Sequence, residues 1–506
     1  MIVSSRREKR NFVNEYVKAL NNERGALFAG AGLSIPSGGI SWSELLRDEA
    51  DSIGIDVSRE NDLISVAQFI YNESGTRQTI TQLLKNKIVK SGKVNENHEI
   101  LSSLPIKKAW TTNYDEFLER SFSNNGKIVD LKKSVQDMAT ELEHTDVTVY
   151  KMHGDIGTPN STVLLKDDYE IYDKKNELFT KTLQTDLLSN TFLFIGFSFD
   201  DPNLESILSK VRIMLEGNPR RHYCILKKVN KNDPEFAQFD KEEKEKEYEY
   251  RWNKQQLKIA DLMRYGIKAI LVDSYDEITD LLKSVKRKYL SNKVFISGAY
   301  DEVESFLGYT DEEAIELADK FCEKLGETLF DEQFEISTGF GLGVGRNLIT
   351  GFLNKEASQG NIRLGSNLII RPFPIQQKEE DKRKYREKIL SECGVSIFLF
   401  GNRQSKTKED ENIIDSPGVR EEYEISRKLG HFIIPVGVTG YMSEKLWNRQ
   451  KLSISEHLSS NEVVIDSYRN LNNEEQEIDE LIESIIALIK EYQLNPDTFV
   501  NLIEEV

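Results

Sequence analysis

The stretch Ala26-Leu-Phe-Ala-Gly-Ala-Gly-Leu-Ser34 decides the reading of this chain, because a short apolar run breaking into Gly30-Ala31-Gly32 is the signature of a buried strand that turns tightly at its end. A first glycine lets the backbone leave the strand where a side chain would obstruct it. A second removes the Cβ that would block close approach to a phosphate, so the turn points to a nucleotide ligand. It is not the standard dinucleotide fingerprint, since Ile35 stands where a third glycine belongs and no strand-ending acid follows about 20 residues on. Pro36 and Gly38-Gly39 lengthen the path to a helical segment around Trp42 to Glu49.

Outward from this turn, short β-rich runs alternate with longer amphipathic stretches. The runs are Ala26 to Ala29, Lys108 to Thr112, Val147 to Met152, Thr191 to Phe197, Tyr223 to Leu226 and Ala269 to Val272. Alternation of this kind predicts a parallel sheet covered by helices on both faces. The Lys- and Glu-rich stretch from Phe236 to Arg251 reads as a solvated helix or an insertion. After a helix over Glu277 to Leu290 the pattern restarts, with strands at Val294 to Ser297, Phe334 to Thr338, Asn367 to Arg371, Val395 to Phe400 and Phe432 to Gly437. The expected fold class is α/β, with two Rossmann-like domains, each a mainly parallel sheet flanked by helices. Their expected extents are residues 1–287 and 288–506.

A length of 506 residues suits two cores rather than one. The formal charge of -18 opposes binding to phosphate backbones, so nucleic acid is excluded as an expected partner. Cys224, Cys322 and Cys393 lie far apart and offer neither a Cys-x-x-Cys pair nor a disulfide framework, which fits a reducing cytoplasm. No run of 18 apolar residues occurs, and a membrane span is not expected.

Three further motifs fall just past expected strand ends of the first half: Thr111-Thr-Asn-Tyr-Asp115, Met152-His-Gly-Asp155 and Gly196-Phe-Ser198. Strand ends are where open α/β sheets bind ligands. Asn113 can orient a water or a ribose hydroxyl without adding charge, and His153 can accept a proton near neutral pH. Each also has a plainer reading: Asn113 as the cap of a helix starting at Tyr114, His153 as a turn residue, Ser198 as part of an ordinary loop. The other histidines, His98, His144, His222, His431 and His457, stand in no such setting.

Taken with Gly30-Ala31-Gly32-Leu-Ser34, the order and spacing of these motifs resemble the sirtuin family over roughly residues 10–285. The resemblance implies cleavage of nicotinamide from NAD, with Asn113 and His153 catalytic and with Gly30, Ala31, Gly32, Ser34, Asp115, Gly196 and Ser198 binding NAD. Nicotinamide departs neutral from a cationic glycoside, so the reaction needs no general acid for the leaving group. Deacylating sirtuins carry a four-cysteine zinc ribbon, which this chain lacks. Water then becomes the expected nucleophile, with NAD as substrate, no zinc, and hydrolysis to nicotinamide and ADP-ribose as the reaction.

In the second half, Ser297-Gly298 closes the first strand, and Gly339, Gly341, Gly343 and Gly345 precede Arg346 at the start of a helix. Alternate glycines expose amides that can cradle phosphate, and Arg371 at a strand end suits bidentate phosphate contact. Lys388 and the segment Pro417-Gly418-Val-Arg-Glu421-Glu422 complete the set, although a lone helical lysine and first-turn acids are common without any ligand. This half resembles the SLOG family of nucleotide-ligand binders. It keeps only Pro417, Gly418 and an acid of the Pro-Gly-Gly-x-Gly-Thr-x-x-Glu motif of related phosphoribohydrolases, which favours binding over catalysis. The implied signal contacts are Ser297, Gly298, Gly341, Gly343, Arg371, Lys388 and Glu422.

The order sirtuin-like then SLOG-like resembles the effectors of the bacterial Thoeris anti-phage systems. What that implies is an NAD-depleting enzyme, active as a homo-tetramer or larger assembly, activated by a cyclic ADP-ribose isomer that a TIR-domain partner produces. Three alternatives stand beside it: an NAD-dependent deacylase, a nucleotide sensor without catalysis, and a phosphoribohydrolase acting through the second half.

Overall fold

The computed structural model describes residues 4–88, 92–341, 343–359, 367–372, 378–404, 413–457 and 461–499. The chain divides into two compact units, Met1–Lys286 and Arg287–Val506. The first is built on seven strands: β1 (Gly25–Ala29), β2 (Lys108–Thr111), β3 (Val129–Lys132), β4 (Val147–Lys151), β5 (Thr191–Ile195), β6 (His222–Lys227) and β7 (Ile267–Val272). They form one sheet in the order β3-β4-β2-β1-β5-β6-β7, and every neighbouring pair is parallel. All five residues of β1 are buried, as expected of a central strand covered on both faces. The aromatic residues Phe28, Trp110, Phe192 and Phe194 lie in one core cluster with Leu183 and Ile207 of the covering helices.

The chain leaves β1 toward β2 on one side and leaves β5 toward β6 on the other, so connections diverge between β1 and β5. Such a switch point opens a crevice at the carboxyl ends of the strands, and the Gly30 and Gly196 turns stand on its two sides. Helices Trp42–Ser52, Leu63–Ser74 and Arg77–Lys87, inserted between β1 and β2, make a satellite core through Leu46, Ile70 and Leu84. Tyr114, Ile156 and Leu164, from the loops after β2 and β4, join that core and anchor the loops there.

Strand β3 was not expected from the sequence. Val129-Asp-Leu-Lys132 is an edge strand with alternating charges and therefore shows no apolar run; its Lys132 pairs with Asp130 at 2.8 Å. The charged stretch around residues 236–251 resolves into the helix Lys241–Arg264.

The second unit has β8 (Lys293–Ala299), β9 (Ser305–Phe306), β10 (Tyr309–Thr310), β11 (Glu335–Thr338), β12 (Leu368–Ile370), β13 (Val395–Phe400), β14 (Asn402–Gln404), β15 (Ile413–Asp415) and β16 (Phe432–Pro435). Five of them make a parallel sheet in the order β12-β11-β8-β13-β16, while β9-β10 and β14-β15 are small antiparallel hairpins absent from the sequence reading. Helices Asp311–Asp331 and Val344–Ser358 approach closely through small residues: a Cβ on Gly326 would meet the Leu348 carbonyl oxygen at 2.1 Å. Helix Ile478–Leu494 buries Leu481, Ile485, Leu488 and Ile489 in the same core. Here connections diverge between β8 and β13, which puts Ser297 and Gly298 beside a second crevice.

Candidate functional site

In the first unit the glycine turn packs backbone against backbone. Gly30 N–H donates to the Ile195 carbonyl at 2.9 Å and Gly32 N–H to the Gly196 carbonyl at 2.9 Å. A Cβ on Gly30 would lie 2.4 Å from the Gly196 oxygen, and one on Gly196, whose φ is +64°, would lie 2.2 Å from the Leu33 nitrogen. These glycines are required first of all by the mutual approach of the two loops. That is a stronger constraint than the phosphate access inferred from sequence, and it leaves the Gly32 backbone exposed at the crevice. The chain then enters a single helical turn at once, Ala31–Ser34, continues as the 3-10 turn Ile35–Ser37, and reaches the helix Trp42–Ser52 only after that.

Asn113 is not a helix cap. The helix that follows is Phe117–Asn124, with Glu116 at its boundary, and it is Asp115 Oδ1 that accepts from the Phe117 N–H at 3.1 Å. The Asn113 amide instead reaches across to the glycine turn, donating to the Gly30 carbonyl at 3.1 Å and to Ser34 Oγ at 3.2 Å. The buried Ser34 hydroxyl also hydrogen-bonds the Asp115 carboxylate, whose pKa is raised above its ordinary value by burial. Gly30, Ser34, Asn113 and Asp115 thus form one polar group where β1 and β2 end. Ala31 is half-buried beside it, and Ser198 is exposed on the loop after β5.

His153 sits on the adjoining strand end. Thr111 of β2 pairs in register with Lys151 of β4, so Asn113 and His153 each stand two residues beyond a paired position. The His153 side chain is 2% exposed. The Tyr169 and Tyr172 rings stand edge-on to it with centroids at 5.5 and 5.9 Å. Its Nε2 lies 3.4 Å from Asp201 Oδ2 without the alignment of a hydrogen bond. Burial lowers its pKa, opposed by the negative charges of Asp201 and Asp168, so the ring is neutral and able to accept a proton near pH 7.

Sequence reasoning missed Asp201, which also caps the helix Pro202–Met214 and accepts from the Tyr169 hydroxyl at 3.3 Å. It missed Lys151 and Glu119 as well. The buried Lys151 ammonium pairs with Glu119 at 2.9 Å and Asp155 at 2.7 Å. A charged residue ending the otherwise uncharged strand Val-Thr-Val-Tyr-Lys151, two positions before His153, was the available signal.

In the second unit the expected signal contacts fall into three clusters. Gly298, Gly341 and Gly343 pack tightly: a Cβ on Gly341 would lie 2.1 Å from the Gly298 oxygen, and one on Gly343, at φ +70°, would enter the Tyr300 ring. Tyr300 in turn is held by Asp319 and Asn347. Ser297 Oγ donates to the buried Glu422 carboxylate at 2.6 Å; Arg386 Nε reaches Glu422 at 3.4 Å, and its Nη1 reaches Glu421 at 2.5 Å. Helix Pro417–Lys428 has no acid in its first turn, so these carboxylates are not dipole partners. Burial raises the Glu422 pKa, with Ser297 and Arg386 opposing. Arg371, at the end of β12, pairs with Glu392 at 2.7 Å, and the exposed Lys388 approaches the same Glu392 at 3.6 Å. Arg386 and Glu392 were not anticipated.

The three cysteines are buried and free. No described helix is long and apolar enough to cross a membrane.

Comparison with known proteins agrees with this two-part construction. Residues 107–257 match the SIR2-like domain family, and residues 277–492 match the family described as "STALD: Sir2- and TIR-associating SLOG family". The class is therefore a SIR2-like α/β unit followed by a SLOG unit. The chain is 41% identical over 483 residues to "NAD(+) hydrolase ThsA" of Bacillus cereus (strain MSX-D12), covering 95% of this chain and 97% of that protein. It is 39% identical to the protein of the same name from Enterococcus faecium, covering 96% and 99%, and 36% identical to the one from Acinetobacter baumannii (strain 532279), also covering 96% and 99%. The chain belongs to the ThsA family of NAD(+) hydrolases.

Proposed function

We propose that this protein is an NAD glycohydrolase effector of Thoeris-type anti-phage defence, with its catalytic site at the ends of β4, β2, β1 and β5 and its control site in the second unit. One observation carries the catalytic assignment. Four adjacent parallel strands deliver His153, Asn113, the Gly30–Ser34 turn and the Gly196 turn to the same edge, and the Asn113 amide is bonded into the glycine turn. The near-full-length similarity to proteins named NAD(+) hydrolase supports the reaction.

The chemistry follows from the groups present. NAD lies along the Gly30–Ser34 and Gly196–Ser198 turns, where the exposed Gly32 backbone lets its pyrophosphate approach closely. The bond between ribose C1′ and nicotinamide N1 breaks, its electron pair goes to the nitrogen, and positive charge develops on the ribose. Asn113 orients the attacking water, Asp115 holds the loop through the Phe117 N–H and Ser34, and neutral His153 takes the proton as the new C–O bond forms. ADP-ribose and nicotinamide result, without zinc. Because His153 is almost wholly enclosed, the resting cleft needs to open, which supports a gated enzyme.

The gate is a cyclic ADP-ribose isomer made by a TIR-domain partner and bound at Ser297, Gly298, Gly341, Gly343, Arg371, Lys388 and Glu422. The word "TIR-associating" in the description of the matching family supports that partnership. The protein acts in the cytoplasm as a homo-tetramer or larger assembly. Purified protein incubated with NAD, with and without cyclic ADP-ribose isomers, tests the whole reading by chromatography of the products. Nicotinamide release without any acyl-lysine substrate is expected; release only with an acyl-lysine peptide returns the deacylase, and no release under any condition leaves a sensor.

A further inference from the structure

Lys151 is the one lysine among the described residues whose ammonium is wholly buried between two carboxylates, and the scheme above gives it no task. Its neighbours define that task. Besides Glu119 at 2.9 Å and Asp155 at 2.7 Å, the ammonium donates to the main-chain carbonyl of Asp115 and approaches that of Tyr114 at 3.4 Å. Those carbonyls belong to the two residues directly after Asn113. Lys151 itself lies two residues before His153 on β4. One side chain therefore spans from the strand that carries the histidine to the loop that carries the asparagine.

We propose that Lys151 is a positioning residue that holds the Asn113 loop at a set height over β2 relative to His153, using main-chain carbonyls as its handles and Glu119 and Asp155 as its counter-charges. Carbonyl handles are insensitive to side-chain identity, so the clamp fixes the path of the loop rather than any one group on it. Two carboxylates are needed because an ammonium at this depth is held in its charged form only by close counter-charges. Asp155 has a second function in the same turn, accepting from the Gly157 N–H at 2.6 Å, so the loop after His153 is tied to the same cation. Loss of the clamp leaves the Gly30 and Gly196 turns joined by their own backbone hydrogen bonds but loosens Asn113 from Gly30 and Ser34 and displaces it from the reacting ribose; displacement of about 1 Å costs about a hundredfold in rate.

The proposal rests on the assignment of Asn113 and His153, and its test is separable from theirs. Lys151→Met alone strands two buried carboxylates and destabilises the fold, so the decisive protein is the full-length triple variant Lys151→Met/Glu119→Gln/Asp155→Asn, which removes all three charges together. Wild-type and variant are compared for thermal midpoint, NAD affinity by calorimetry, and kcat and KM for NAD at a saturating concentration of the cyclic ADP-ribose isomer that activates the wild type most. The expected result is a midpoint and an NAD affinity close to wild type with kcat lowered about ten- to a hundredfold. Wild-type kcat in the triple variant overturns the proposal, because it reduces Lys151 to a neutralising charge. A proportionate loss of NAD affinity with kcat unchanged overturns it too. Retained turnover in Asn113→Ala and His153→Ala overturns the underlying site assignment instead, and is read from different proteins.

Discussion

At the first crevice the Gly30 N–H donates to the Ile195 carbonyl at 2.9 Å; at the second, the Gly401 N–H donates to the Ala299 carbonyl at 3.0 Å. In both units a glycine therefore knits together the two strands between which the connections diverge. The side chains aimed at these matching frames differ. Around the first stand an amide, a hydroxyl, a neutral imidazole and a carboxylate whose pKa burial raises. In the second unit stand arginines already engaged with carboxylates: Arg386 with Glu421 and Glu422 beside Ser297, and Arg371, past the end of the edge strand β12 two strands from β8, with Glu392. Proton transfer and water positioning need groups that change state or orient without fixed charge, whereas the phosphate-bearing signal proposed for the second unit needs cations free to exchange one anionic partner for another. The same backbone junction thus carries different side-chain chemistry in the two units: uncharged or protonatable groups in the first and paired cations in the second.

The largest expected effect tests this division directly. Asn113→Ala and His153→Ala should each lower NAD turnover about 10²- to 10⁴-fold while leaving signal binding unchanged; a comparable loss from any second-unit variant at saturating signal would break the contrast. Next in size, Gly196→Ala should destabilise the fold by about 3 kcal/mol, because a left-handed residue must also overlap the Leu33 nitrogen. Gly38→Ala is the control: its φ is +88° but nothing lies within 4 Å of a Cβ, so thermal unfolding should report only about 1 kcal/mol. Arg371→Ala should weaken activation by the cyclic ADP-ribose signal about ten- to a hundredfold, measured as a shift in the activating concentration, with NAD binding preserved.

The smallest effect is in pH dependence. Burial places the His153 pKa below its ordinary 6.5, so the acid limb of kcat/KM should fall below that value. Asp201 favours the protonated ring, and Asp201→Asn should move the limb to still lower pH. The same depression makes the unfolded chain bind more protons as pH drops beneath 6.5. His153 therefore contributes stability that is complete above 6.5 and is lost as pH falls toward its folded value.

Much of the frame was legible because buried parallel strands are continuous apolar runs. Ala26 to Ala29, Thr191 to Ile195 and Val395 to Phe400 announce themselves in this way. Strand β3 did not, since an edge strand bearing Asp130 and Lys132 has no such run, and hairpins of two or three residues per strand carry no periodicity at all. At the sites, motif order brought out Asn113, His153 and the glycines. The residues that support them, Lys151, Glu119, Asp201, Arg386 and Glu392, escaped notice because a charged residue in a sequence ordinarily belongs to a solvated surface. Only the folded chain reveals which ones are partners: burial for Lys151, Glu119 and Asp201, and proximity for Arg386 and Glu392.

By itself the sequence determined two α/β halves, the strand ends that carry the motifs, and the absence of a cysteine ribbon, because apolar periodicity and residue chemistry are local properties. Tertiary structure alone decided what each of those residues touches. It turned Gly30 and Gly196 into a backbone junction, made Asn113 a bridge rather than a cap, enclosed His153 with Asp201, and set Lys151 between two carboxylates. Those outcomes depend on which strands lie side by side, and the order β4-β2-β1-β5 joins residues more than 100 positions apart in the chain. Distance and burial, which govern hydrogen bonding and charge, exist only once that order has formed.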